Sequence, residues 1–256
     1  MEYGINAGFG DPIAHDVNSL IRQGFSEIRQ DLQYIKDADV LQARLEELRF
    51  SAIRPLWIMR PDQVSQARAC ERVELLNEPN LHKVTPQGYA QDWNLHGAPA
   101  QQRGVIVFAG SISNLTRDVL SWWQQSWKLM DIKPTHVSVH RYPRDAGFSQ
   151  PHRGFGSRQE EVTALRDIIG DAVVSVTEFG YHTGARKKWG FWPTRWSDVQ
   201  CAAFAKREWQ FWAQQTGVES AYIYQLNDGP TNTTLDRYGI RRLDGSWKPS
   251  ADAHRS

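Results

Sequence analysis

Glu78 and Glu178 each close a short apolar run, Leu75-Leu76-Asn77-Glu78-Pro79-Asn80 and Val176-Thr177-Glu178-Phe179-Gly180. A third run ends in Val139-His140-Arg141-Tyr142-Pro143. A strand that delivers a carboxylate into a turn fixes the backbone while leaving the acid open to a ligand, which suits proton transfer and nucleophilic work. Two such acids facing one another suit cleavage of a glycosidic bond. The glycosidic oxygen is a poor leaving group and must be protonated, while the cationic anomeric carbon must be met by a carboxylate. At a separation of about 5 Å one acid attacks as the other protonates, and configuration is retained; a wider gap implies inversion.

The elements that must hold these residues alternate between β-branched runs and helical patterns, the mark of βα units closing on a parallel sheet. Eight strands are predicted: Tyr3 to Ala7, Glu27 to Asp31, Ala52 to Ile58, Arg72 to Leu76, Val105 to Ala109, His136 to Val139, Val173 to Thr177 and Ser220 to Gln225. Thr85-Pro86, Ser157 with Glu160, and Ser197-Asp198 read as helix starts, the second as a capping box. The first and third helices are expected to be short. With 256 residues and no linker or repeat, the chain reads as α/β, a single (β/α)8 TIM barrel spanning 1–256 as one catalytic domain. Working residues of such a barrel sit at the C-terminal ends of the strands. Strands four and seven put Glu78 and Glu178 across the mouth from each other, 178 − 78 = 100 residues apart in sequence.

Those motifs, in that order, resemble the large clan of (β/α)8 glycoside hydrolases, clan A, that includes the family five cellulases and mannanases and the family thirty-nine enzymes. The resemblance covers nearly the whole chain and rests on motif order. It implies that Asn77-Glu78-Pro79 supplies the acid/base and that Glu178 in Thr-Glu-Phe-Gly is the nucleophile. It also implies that His140-Arg141-Tyr142 is the clan's His-x-Tyr and that Arg29 is its strand-two arginine, a place Asp31 could also take. Glu78 must carry a proton, so its carboxyl is expected to be raised by the charge of Glu178 and by partial burial. Glu178 must stay ionised, held by Arg29 or by a hydrogen bond from Tyr142. Asn77 is expected to bind the sugar 2-hydroxyl, and His140 to bind hydroxyls or orient Glu78.

The eleven tryptophans suggest sugar platforms, since an indole suits the C–H face of a sugar ring. The segment Tyr181 to Trp196 follows the nucleophile and carries Trp189, Phe191, Trp192 and Trp196 beside Arg186, Lys187 and Lys188. One of Trp189, Trp192 or Trp196 is expected to stack on a sugar, with Trp57 at the end of strand three a further candidate. Trp122, Trp123 and Trp127 are expected to pack against the barrel. The clan's tryptophan after strand eight is missing from Tyr222-Ile-Tyr224-Gln225-Leu226, so Tyr224 or Gln225 takes that place.

A net charge of +1 offers no field to gather nucleic acid or a membrane surface, and no apolar run approaches a membrane span. Neither a signal peptide nor a transmembrane segment is read, which leaves a cytoplasmic and a secreted, processed protein equally open. Cys70 and Cys201 lack the spacing of a zinc or redox pair. Gly8-Phe9-Gly10 and Gly154-Phe155-Gly156 lack the rest of a phosphate loop and read as turns. His140, His182 and Glu178 lack the spacing of a helix-borne metal site. The expectation is a monomeric, cofactor-free and metal-free glycosidase that degrades a polysaccharide endo-wise, of β-glucan or β-mannan type, with an acidic polymer left open by the basic loop. The alternatives are a catalytically silent glycan-binding barrel and a lyase using Glu178 as base.

Overall fold

Parallel strands buried on both faces read as nearly continuous apolar runs, so it is pairing that decides which alternate residues face inward. The computed structural model describes residues 1–7, 17–49, 52–142, 151–152, 154–183, 196–229 and 237–255. Eight parallel strands, β1 (Glu2–Ala7), β2 (Glu27–Asp31), β3 (Arg54–Met59), β4 (Arg72–Leu75), β5 (Ile106–Ile112), β6 (His136–Arg141), β7 (Val173–Phe179) and β8 (Val218–Ile223), close a barrel in sequence order. β1 seals it against β8 with Gly4 opposite Tyr222. A Cβ on Gly4 would stand 2.2 Å from the Tyr222 ring, so glycine is what lets that ring cross the barrel interior.

Seven α-helices lie among the described residues: α1 (Val17–Gln23), α2 (Ala38–Arg49), α3 (Pro86–Asp92), α4 (Ala98–Gln102), α5 (Arg117–Leu129), α6 (Arg158–Ile169) and α7 (Asp198–Ala213). The three N-terminal signals act as expected, because Thr85, Ser157 and Ser197 each accept a hydrogen bond from a backbone N–H of the first turn. The capping box is completed at Ser197 with Gln200. Glu160 instead accepts from the Gly156 N–H, one residue outside the expected partner. Between β3 and β4 the crossover is a 3-10 turn, Pro61–Gln66, and a second one, Pro249–Asp252, follows β8.

The main core lies between sheet and helices, and Trp123 is fully buried there with Trp122 and Trp127 against it, as expected of barrel packing. Inside the barrel the apolar cluster is small, Leu56, Phe108 and Tyr222. Buried ion pairs accompany it: Glu27 with Arg72 near the strand starts, where the exposed Arg54 also reaches Glu27, and Glu74 with Arg29 above them. No helix among the described residues is long and apolar enough to cross a membrane.

Candidate active site

Each carboxylate of the pair owes its direction to a local break in regular strand geometry. After β4 the backbone turns through Leu76 at φ 65° and Glu78 at φ 46°, both in the left-handed region that side chains avoid at a cost of about 1–3 kcal/mol. The Glu78 N–H donates to the Ser111 carbonyl at 3.1 Å, which ties the turn to β5. On β7, Ser175 and Thr177 point inward, Thr177 donating to Glu74 at 2.7 Å, so strict alternation would turn Glu178 outward. The register with β6 shifts there, pairing Val139 with Val176 and then His140 with Glu178. Such an irregularity re-aims a side chain, and it brings Glu178 into the mouth beside Thr177.

Arg29 is the hub. Its Nη1 lies 2.6 Å from Glu178 Oε1 and 2.7 Å from Asn6 Oδ1, its Nη2 donates to Asn77 Oδ1 at 2.8 Å, and its Nε meets Glu74. Burial opposes the Arg29 charge, but Glu74 and Glu178 more than offset that and hold it protonated. The other Glu178 oxygen accepts from the Tyr142 hydroxyl at 2.5 Å. Burial, reinforced by the Glu178 charge, pushes the Tyr142 phenol well up and keeps it a donor.

His140 joins the two acids from below. It is fully buried, with Nδ1 3.0 Å from Glu78 Oε1 and 3.4 Å from Glu178 Oε2. Its Nε2 faces two donors, Ser111 Oγ at 3.1 Å and Arg29 Nη2 at 3.3 Å, so the network assigns the proton to Nδ1, donating to Glu78. Burial raises the Glu78 carboxyl, but the hydrogen bond from His140 and the electrostatic pull of His140, Arg29 and His82 outweigh it, leaving it below its ordinary value. This corrects the expectation of a raised Glu78. Arg29 already neutralises Glu178 at 2.6 Å, so the neighbouring acid exerts little upward push.

One carboxylate oxygen each of Glu78 and Glu178 and a ring nitrogen of His140 lie within 4.8 Å of one another. Among the described residues these are the side chains that could hold a metal, and His182 is not one of them; its ring packs on Tyr238. Arg29 already fills the cationic position against Glu178, so a divalent ion would have to compete with a guanidinium 2.6 Å away.

Above the pair lies a cleft of about 400 Å³, within the range typical of small-ligand sites. Of the residues expected at the site, Arg29, Asn77, Glu78, Tyr142, Glu178 and Tyr224 line it, and His140 supports it from beneath. Gln225 lines it too, and the Tyr224-Gln225 peptide bond is cis. Tyr142, Tyr224 and Tyr238 form a corner of mutually edge-on rings with centroids 5.6 to 6.0 Å apart. The corner is brought close to β7 by Gly180, where a Cβ would stand 2.4 Å from the Tyr224 carbonyl oxygen. Burial, with Glu178 behind it, pushes the Tyr224 phenol to about 12.

Trp57 is a correction. Leu56 and Ile58 are the inward residues of β3, so Trp57 points outward and is fully buried between strand and helix, with Arg49 over its ring. Trp196 is also packed inward, its ring edge-on to Phe204 on α7 with centroids 5.1 Å apart, and it does not line the cleft. Trp189 and Trp192 lie outside the described residues, as does Gly8-Phe9-Gly10. Sequence reasoning missed Asn6, Glu74, Ser111 and Tyr238. Asn6 carried a signal, a polar residue at the end of an apolar strand, and Glu74 another, an acid flanked by Val73 and Leu75. Tyr238 carried none.

No protein-family model matches the chain, and no curated protein matches it. Solved structures do. A family 39 glycoside hydrolase from the gut symbiont Bacteroides cellulosilyticus WH2 aligns with a TM-score of 0.70 at 17% identity over 98% of this chain, which spans 62% of that one. A family 128, subgroup I, endo-β-1,3-glucanase from Amycolatopsis mediterranei, in complex with laminarihexaose, aligns at 0.62 and 16% identity over 99% of this chain and 98% of that one. A family 128, subgroup VII, oligosaccharide-binding protein from Trichoderma gamsii aligns at 0.58 and 14% identity over 97% of this chain and 91% of that one. At these identities the likeness is one of fold: the chain is a (β/α)8 barrel of the kind these glycoside hydrolase families share.

Proposed function

We propose that the chain is a retaining β-glycosidase carried on one barrel, with Glu178 as nucleophile and Glu78 as acid/base. The observation that carries this reading is the closeness of the two carboxylates, whose oxygens come within 4.8 Å of one another. Retaining enzymes hold their acids about 5–5.5 Å apart, whereas inverting ones leave about 6.5–9.5 Å for a water. The asymmetry of the partners divides the roles. Glu178, fixed by Arg29 at 2.6 Å and by the Tyr142 hydroxyl, is the anion held in place for attack. Glu78, whose side chain bonds only to a histidine among the described residues, is freer to exchange a proton.

In the first step a Glu178 oxygen attacks the anomeric carbon while Glu78 gives its proton to the departing oxygen. The covalent sugar ester is then hydrolysed by a water that yields its proton to Glu78, and Glu178 leaves as a carboxylate. Asn77, bonded to Arg29 at 2.8 Å, presents its amide to the sugar 2-hydroxyl. The laminarihexaose held by the family 128 neighbour supports a β-glucan as substrate and endo-cleavage as the mode. The oligosaccharide-binding neighbour supports the second reading, a barrel that binds a glycan without cleaving it.

Incubation with 2-fluoro glycosides bearing good leaving groups, followed by intact mass and peptide mapping, tests the reading. A covalent sugar on Glu178 is expected. A label on another residue overturns the assignment, and no label with any sugar while oligosaccharide binding persists favours the silent binder.

A further inference from the structure

The inward face of β2 is a column of three charged residues, Glu27, Arg29 and Asp31, spaced by the period of two that a strand imposes. The lower two are neutralised within the protein. Glu27 meets Arg72 at 2.8 Å and also Arg54, and Arg29 meets Glu74 and Glu178. Asp31, at the top, lines the cleft and has no ion-pair partner among the described residues.

Its orientation is nonetheless fixed. The backbone N–H of Gln33 donates to Oδ1 at 3.0 Å and the Gln33 side-chain amide donates to Oδ2 at 3.0 Å. Gln33 is itself buried. A carboxylate has about four acceptor sites, so about two stay unfilled. A partly buried anion with open acceptor sites and no directly paired cation is costly unless something donates to it. Burial raises the Asp31 carboxyl, although the two Gln33 bonds and Arg29 pull against it.

We propose that Asp31 is a substrate-binding residue that accepts hydrogen bonds from adjacent hydroxyls of a neutral sugar and, by its charge, excludes a uronic acid from that subsite. The proposal deepens the glycosidase reading and rests on it for the identity of the ligand. Two oxygens pinned in one plane match the spacing of two neighbouring O–H donors, as a bidentate carboxylate does elsewhere. A sugar carboxylate brought to the same place meets like charge and supplies no donor.

The test uses the full chain carrying Glu178→Gln, so that ligands persist, with and without a second substitution. Binding of laminaripentaose, cellopentaose and mannopentaose, and of a glucuronic acid pentamer and a glucosamine pentamer, is measured by calorimetry. Asp31→Ala is expected to weaken the best neutral pentaose by about ten- to a hundredfold, as loss of charged hydrogen bonds does. Asp31→Asn keeps one acceptor and, through it, one of the two Gln33 bonds; it should weaken that pentaose less and improve binding of the glucuronic acid pentamer. A dissociation constant within twofold of the parent in Asp31→Ala, or no gain for the glucuronic acid pentamer in Asp31→Asn, overturns the proposal. So does a parent that prefers the glucosamine pentamer and loses that preference in Asp31→Asn, since the site would then be one for an ammonium. The 2-fluoro label separates the two readings. A labelled Glu178 with Asp31-independent binding removes only the Asp31 assignment, whereas Asp31-dependent binding without any label removes only the hydrolysis. A parent that binds none of the neutral pentaoses removes the Asp31 proposal, whatever the label.

Discussion

Arg29 Nη1 stands 2.6 Å from Glu178 Oε1, while the Nε edge of the same guanidinium meets Glu74, which has no exposure to solvent. One cation thus serves an acid in the cleft and an acid in the barrel interior. The two tasks separate on mutation. Arg29→Met leaves Glu74 buried without a counter-charge, and a loss of about 3–5 kcal/mol in urea unfolding is expected. Adding Glu74→Gln should recover part of that stability without recovering the 2-fluoro labelling of Glu178, because the proposed nucleophile still lacks its guanidinium partner. Equal recovery of both would mean that Arg29 acts on the acid pair only through the fold.

The depressed carboxyl of Glu78 predicts an acid-side enzyme. On the acid/base role proposed for Glu78 the free enzyme needs it protonated, so kcat/KM should fall as pH rises through that lowered value, on the acid side of the ordinary carboxylate range. His140→Asn removes the imidazole hydrogen bond, the largest single lowering influence, and should move this limb to higher pH. The sign for stability is opposite. A depressed folded-state carboxyl stabilises the chain above its unfolded range, and the contribution is lost as pH falls through the folded value. The difference in thermal midpoint between wild type and Glu78→Gln should therefore shrink on acidification.

Tyr142→Phe deletes one donor to Glu178 Oε2 and leaves the ring in its edge contacts with Tyr224 and Tyr238. A charged hydrogen bond contributes about 1.5–3 kcal/mol, so kcat is expected to fall about ten- to a hundredfold with little change in unfolding midpoint. An unchanged kcat would remove Tyr142 from the nucleophile's support.

Trp57 and Tyr238 should respond in opposite ways. Trp57→Ala empties a site between strand and helix and should cost about 3–5 kcal/mol of stability, with the labelling rate of the folded protein preserved. Tyr238→Ala removes a wall of the cleft and should raise KM and slow labelling. A Trp57 variant that folds normally but binds oligosaccharide poorly would contradict its outward placement.

By itself the sequence determined where the barrel's strands lie, and with them the three strand ends that carry Glu78, His140 with Tyr142, and Glu178. It did so because a polar residue closing an apolar run is a local pattern, as are the serine and threonine caps at Thr85, Ser157 and Ser197. The facing of residues within a strand was not local. Trp57 and Ile58 are both apolar on a strand buried on two sides, so nothing in the run distinguishes the one packed under the helices from the one lining the cleft. Only closure of the barrel decided it. Closure also set Glu74 against Arg29, and it shifted the β6–β7 register so that Glu178 enters the mouth next to Thr177. Tyr238 reaches the cleft because the Gln225 N–H donates to its carbonyl at 3.3 Å, a pairing between distant backbone groups that no spacing of residue types encodes.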